Sequence, residues 1–191
     1  MDSNSSFCKS DQEILLNIAH DAIYNGLHND RPAAVDPADY SAALKGEAAS
    51  FVTLKSAGTL RGCIGSLEAV RPLVEDVNEN AYAAAFRDPR FPPLSNRELE
   101  GLHISISVLS LPEAITFRSE QDLLEQLRAG IDGLILEEGR FRGTFLPAVW
   151  ESLPNPQTFL RQLKLKAGLH PDYWSETLRV YRYHAEEISV V

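Results

Sequence analysis

Two hairpin signals separated by an alanine-rich helical stripe constrain the fold of this chain more than any other feature. Phe51-Val52-Thr53-Leu54-Lys55 is β-prone, Ser56-Ala57-Gly58-Thr59 supplies turn chemistry, and Leu60 to Ile64 returns antiparallel. Gly133-Leu134-Ile135-Leu136, the turn Glu137-Glu138-Gly139-Arg140 and the run Phe141 to Leu146 repeat the pattern. Between them Leu73, Val74, Val77, Ala81, Ala84 and Ala85 recur at helical spacing, with Glu75, Asp76 and Glu79 on the outer side. Antiparallel hairpins mixed with helices, without a strand-helix-strand rhythm, predict an α+β fold rather than a doubly wound parallel sheet.

The remaining segments fit that frame. Ser10-Asp11-Gln12-Glu13 reads as a capping box opening a helix whose stripe is Ile14, Leu15, Ile18, Ala19, Ala22 and Ile23 and whose end lies near Asn25-Gly26. Residues 29–40, with Pro32 and Pro37, read as a loop. Pro72 suits the first turn of the alanine-rich helix, which must stop before Asp88-Pro89 because a residue preceding proline is pushed out of helical geometry. Arg87 to Pro93 is then a stiff loop presenting guanidinium groups. Leu102 to Leu109 alternates, with Leu102, Ile104, Ile106 and Val108 on one face and His103, Ser105 and Ser107 on the other. Ser119 opens a helix carrying Leu123, Leu124 and Leu127 and ending at Gly130, and Asn155-Pro156 opens one that closes at Gly168. Leu178 to His184 reads as the last strand.

Composition bounds the function. A net charge of -9 and a pI near 5.0 oppose a nucleic-acid partner. No apolar run approaches the length of a bilayer span, and the polar start Met1 to Ser6 is unlike an export signal, so no membrane partner is expected and the expected location is cytoplasmic. The 191 residues read as a single domain with residues 1–10 flexible. The two cysteines, Cys8 and Cys63, are expected as free thiols. The histidines show no metal-ligand spacing and there is no glycine-rich nucleotide motif, so no metal or other cofactor is expected.

The chemistry gathers around Leu60-Arg61-Gly62-Cys63-Ile64-Gly65. Strand alternation puts Arg61 and Cys63 on one face, where the arginine would lower the thiol's pKa, while Gly62 and Gly65 would leave amides free for an oxyanion. The plainer reading is a buried, inert cysteine between packing glycines. His103 is the best-placed candidate base, and His170 and His184 are weaker ones. Arg61, Arg87 and Arg90 could converge on a carboxylate or phosphate; alternatively Arg90 pairs with Asp88 or Glu68 to hold its loop.

These segments resemble the AMMECR-type domain family. The likeness is carried by Leu60 to Gly65, the family's signature hexapeptide, and by Asp88-Pro89-Arg90-Phe91, Ser105 to Ser110, Gly133-Leu134, Phe145-Leu146-Pro147 and Lys166-Ala167-Gly168-Leu169 before Trp174. Many members carry His at the position of Asp132 and Gln at that of Ala148, so the chain departs from the family there. The resemblance implies a two-lobed α+β domain, its larger lobe built from both chain ends and its smaller from the middle, with the hexapeptide near the cleft between them. It also implies association with a Memo-like protein and a radical-SAM enzyme. Two readings follow. One is an accessory or binding module for those partners; the other is a small-molecule enzyme with Cys63 as the catalytic group and Arg61, Gly62, Gly65, Glu68, Arg87, Arg90, Ser105 and Ser107 available to bind a ligand.

Overall fold

In the computed structural model, which describes residues 6–189, the stripes and hairpins become five α-helices and eight strands among the described residues, with three short 3-10 turns. In chain order they are α1 (Lys9–Asn29), α2 (Ala42–Lys45), β1 (Ala49–Ser56), β2 (Thr59–Gly65), α3 (Leu73–Phe86), β3 (Leu102–Leu109), β4 (Glu113–Ala114), α4 (Glu120–Gln126), β5 (Gly133–Glu138), β6 (Phe141–Phe145), α5 (Pro156–Ala167), β7 (Arg179–Tyr183) and β8 (Ala185–Ser189). They form two four-stranded sheets, ordered β2-β1-β3-β8 and β4-β7-β5-β6, and the pairs β1–β2, β1–β3, β4–β7, β5–β6 and β5–β7 are antiparallel. The α+β expectation holds.

One unit comprises the residues up to Leu109 together with those from Glu186 onward. Its core lies where Leu15, Ile23, Val52, Leu54, Leu73, Val77 and Ile106 meet, each fully buried. A buried aliphatic side chain of this size contributes about 1.5–3 kcal/mol, so this face dominates the stability of the unit. The alanines of α3 permit close packing, and Gly26 of α1 does the same, since a Cβ there would lie 2.3 Å from Phe86 Cε2. Hence Gly26 does not stop α1 as expected; the helix runs on to Asn29 and closes at Asp30 in left-handed geometry. Nor is the Ser10 box used. The helix begins at Lys9 behind Cys8, whose Sγ donates to Asp11 Oδ2 at 3.0 Å. Residues 9–10 of the segment expected to be flexible are therefore helical, and residues 1–5 lie outside the described residues.

Two further expectations fail in this unit for physical reasons. Pro72 is the N-cap of α3 rather than a first-turn residue. Asp76 faces inward, not outward: its carboxylate accepts from Ser50 N and Oγ, Ser66 Oγ and Asn80 Nδ2 at 2.7–3.1 Å and pairs with Arg71 at 3.3 Å. A buried carboxylate survives when several donors satisfy it, and here they tie α3 to the start of β1.

The second unit runs from Ser110 to Ala185 around Leu123, Leu134, Leu136, Phe159, Leu160 and Leu163. The β5–β6 hairpin turns at Gly139, and α5 is capped by Asn155 and closed by Gly168, all as its sequence signals require. Helix α4 ends at Gln126, four residues before the expected glycine, because the next turn is taken over by bonds from Arg128 to Asp132. The expected last strand is β7, which belongs to this sheet; a further strand that the sequence did not signal, β8, follows it and joins the sheet of the first unit.

Candidate functional site

The hexapeptide occupies β2, an edge strand, and its geometry is set by one extra residue. The hairpin turns through Ala57 and Gly58, both at positive φ, as a two-residue turn demands. Pairing then runs Ser56 with Thr59 and Lys55 with Leu60, but Leu54 with Gly62, so Arg61 bulges out of the ladder. Without the bulge Arg61 would stand opposite Leu54 and point at the core; with it, Gly62 and Ile64 take the core face. Strict alternation through the hexapeptide is thereby broken. Leu60, which strict alternation would set on the face of Gly62 and Ile64, is 38% exposed.

Both glycines are packing positions. A Cβ on Gly62 would sit 2.1 Å from the Ala84 carbonyl oxygen of α3, and one on Gly65 would enter the Phe51 ring at 2.3 Å. Neither substitution fits without moving backbone or the Phe51 ring.

The outward backbone of Cys63 is closed by the loop after α3. Asp88 Oδ2 accepts the Cys63 N–H at 2.9 Å, and Arg90 Nη2 donates to the Cys63 carbonyl at 3.2 Å. Asp88, itself buried, is gripped by Arg90 through Nε at 2.9 Å and Nη2 at 2.6 Å and also accepts the Arg90 N–H. The Arg90 guanidinium holds the Asp88 carboxyl well below the usual range; burial opposes this, and the two backbone N–H groups reinforce it. Asp88 in turn raises the pKa of Arg90, with a smaller contribution from the Cys63 thiol. The guanidinium bonded to the Cys63 backbone is thus that of Arg90.

Arg61 goes elsewhere. Its Nε and Nη2 fork onto Glu98 at 2.6 and 3.3 Å, and Nη2 also donates to Pro92 O at 2.9 Å. That fork first, and the Ser95 backbone and hydroxyl second, lower the Glu98 carboxyl to about 2. Arg61 and Arg90 both lie within 6 Å of the Phe91 ring, their carbons 5.9 and 5.5 Å from its centroid. Arg87 instead covers Tyr82 at 4.9 Å, so the three guanidinium groups do not converge on one anion.

A polar row crosses the outer face of the sheet. Cys63 pairs with Thr53, which pairs with Ser105, and Thr53 Oγ1 donates to Cys63 Sγ at 3.4 Å. The neighbouring row is Gly65, Phe51 and Ser107; the row on the other side is Leu60, Lys55 and His103. His103 therefore lies two strands over and two residues along from Cys63, about 10 Å by about 7 Å, too far to act as its base. Glu68 is exposed beyond the end of β2. Both cysteines are free thiols.

In the second unit Asp132 is fully buried and forms a separate polar centre. Arg128 reaches it through Nη2 at 2.8 Å, Nε at 3.1 Å and its backbone N–H at 2.9 Å; Arg182 and His184 stand at 3.9 and 3.8 Å. The Trp150 indole donates to the Asp132 carbonyl at 2.7 Å. Ala148 is exposed in a 3-10 turn. His170 is exposed and pairs with Asp172 at 3.8 Å. Among the described residues no three His, Cys, Asp or Glu side chains are grouped to hold a metal, and no helix is long and apolar enough to cross a membrane.

Sequence reasoning missed Thr53 and Glu98. Glu98 was signalled by Ser95 three residues before it, a capping-box spacing that the structure uses. Thr53 had no signal, because its position opposite Cys63 depends on the bulge.

The profile of the AMMECR1 family matches residues 16–188. A protein of Thermofilum pendens is 38% identical over 189 residues, covering 91% of this chain and 86% of its own length. One of Methanothermobacter thermautotrophicus is 43% identical over 142 residues, 71% and 72% of the two chains. Among solved structures, the uncharacterized protein PH0010 from Pyrococcus horikoshii superposes with a TM-score of 0.80 at 35% identity, covering 92% of this chain and 89% of its own.

Proposed function

The chain belongs to the AMMECR1 family, and from that premise we propose that it is a cytoplasmic, non-catalytic binding or accessory module acting with a Memo-like protein and a radical-SAM enzyme. The observation that supports this reading is that the two signature segments neutralise each other. Asp88 and Arg90 occupy the Cys63 amide and carbonyl, and Glu98 occupies Arg61. A thiol nucleophile calls for a nearby base and free oxyanion donors, whereas here the Cys63 N–H is committed and His103 is out of reach. The clasp holds β2 as a rigid surface element, with Leu60 at its start and Val70, 63% exposed, five residues past its end. Both are suited to a partner's apolar contact.

A second reading, a small-molecule enzyme using Cys63, is favoured by the Thr53 hydroxyl on its sulfur and by the Arg90 guanidinium on its backbone carbonyl. One experiment separates them. Cys63→Ser is made and both affinity for the Memo-like and radical-SAM proteins of the same genome and the product of their joint pathway are measured. The accessory reading expects both to match wild type. Intact partner binding with lost product overturns it, as does failure of the wild-type chain to bind either protein.

A further inference from the structure

The chain crosses from the first unit to the second at Leu109–Ser110 and returns at Ala185–Glu186. The two crossings are tied together: Ser110 N–H donates to the His184 carbonyl and His184 N–H donates to Ser110 Oγ, both at 2.9 Å. The side chain of His184 decides how firmly that tie is held.

Arg128 Nη2 lies 3.0 Å from His184 Nε2. A guanidinium donates and never accepts, so Nε2 must be the acceptor and the imidazole proton resides on Nδ1. Nδ1 faces Ile131 O at 3.5 Å and Asp132 Oδ1 at 3.8 Å. The charged groups around the ring are Arg128 and Asp132 from the segment before β5 and Arg182 from β7, with Glu113 of β4 acting on Arg128.

We propose that His184 is a proton-sensitive latch: the neutral ring, hydrogen-bonded to Arg128, fastens the paired crossings, and protonation at Nε2 ejects it. An imidazolium would set an N–H against the N–H of a guanidinium at the same 3.0 Å, exchanging a hydrogen bond for like-charge contact. The Asp132 carboxylate, 3.8 Å from Nδ1, is shared with Arg128 and Arg182. The two side chains are similarly exposed, 47% for Arg128 and 44% for His184, but Arg128 is pinned through Nε and Nη2 to the fully buried Asp132, so the ring is the part that leaves. Once it does, the Ser110–His184 backbone pair loses its side-chain anchor.

The test uses the full chain. Nitrogen NMR of the His184 ring at about pH 8 is expected to show the Nδ1–H tautomer, and amide exchange at Ser110 and His184, corrected for intrinsic rates, is expected to speed up about tenfold by about pH 5, the loss of one charge-assisted hydrogen bond. His184→Gln is expected to remove that pH dependence. An Nε2–H tautomer overturns the latch, and needs no variant to be observed; so does equal protection at both pH values, or an unchanged pH response in His184→Gln.

Discussion

Asp88 in the first unit and Asp132 in the second are both buried carboxylates gripped by an arginine two or four residues away, and both guanidinium groups are about half exposed. Their surroundings differ. Asp88 spends its remaining lone pairs on backbone N–H groups, one of them on a different element, and so fixes the edge of β2. Asp132 meets a second arginine and an imidazole, so its pair is one part of a charge cluster. The same acid–arginine clasp thus locks a strand in one place and, in the other, balances groups whose protonation can vary. A buried ion pair gains little net stability from its own attraction, but breaking it by removing one partner is costly.

That contrast ranks the expected losses, read as shifts in urea midpoint. Asp132→Asn leaves two arginines without their carboxylate and is expected to cost about 3–5 kcal/mol. Gly62→Ala, which keeps the Asp88 clasp chemically intact but drives a methyl group into the Ala84 carbonyl, is expected to cost about 3 kcal/mol. Asp88→Asn keeps one acceptor oxygen and lets Arg90 turn to water, so about 2 kcal/mol is expected. Equal losses for Asp88→Asn and Asp132→Asn would erase the distinction between a lock and a cluster. Arg90→Lys and Arg128→Lys retain charge but lose the fork, and each is expected to cost about 1 kcal/mol.

The gentlest probe is acid. The Asp88 and Glu98 carboxyls are depressed in the folded protein, so their stabilisation is complete above the ordinary carboxylate range. It fades as pH falls from about 4, Glu98 giving up its share by about pH 2 and Asp88 later. Arg90→Ala is expected to flatten the acid limb of the stability curve through Asp88 while leaving the Glu98 portion, a separation that urea midpoints at successive pH values would measure. An acid limb unchanged in Arg90→Ala would show that the Asp88 clasp contributes no linkage.

Much of this was legible in the residues. Ala57-Gly58, Gly139, Asn155 and Gly168 each require a local geometry that only a turn or cap supplies, and the alternation of Leu102 to Leu109 needs no tertiary information. What escaped depends on partners distant in sequence. Gly26 reads as a helix stop until Phe86 is known to lie against it, and Asp76 reads as a surface acid until Ser50 and Ser66 are brought to it. Around the hexapeptide, alternation correctly separated Cys63 from Gly62 and Ile64, but a one-residue bulge removed Arg61 from the row and brought in Thr53. Sequence patterns carry no mark of a bulge that sets one residue outside the ladder.

The placement of β8 bears on the order of synthesis. β8 is an edge strand beside β3, yet it follows the whole second unit in the chain. As the polypeptide emerges, residues 6–109 can gather their helices on three strands, but the fourth arrives only after Ser110 to Ala185 have been made. Until then the free side of β3 is an uncovered strand edge, the kind of surface that invites wrong pairing on the ribosome. The first half of the chain to be translated is therefore the last to be completed.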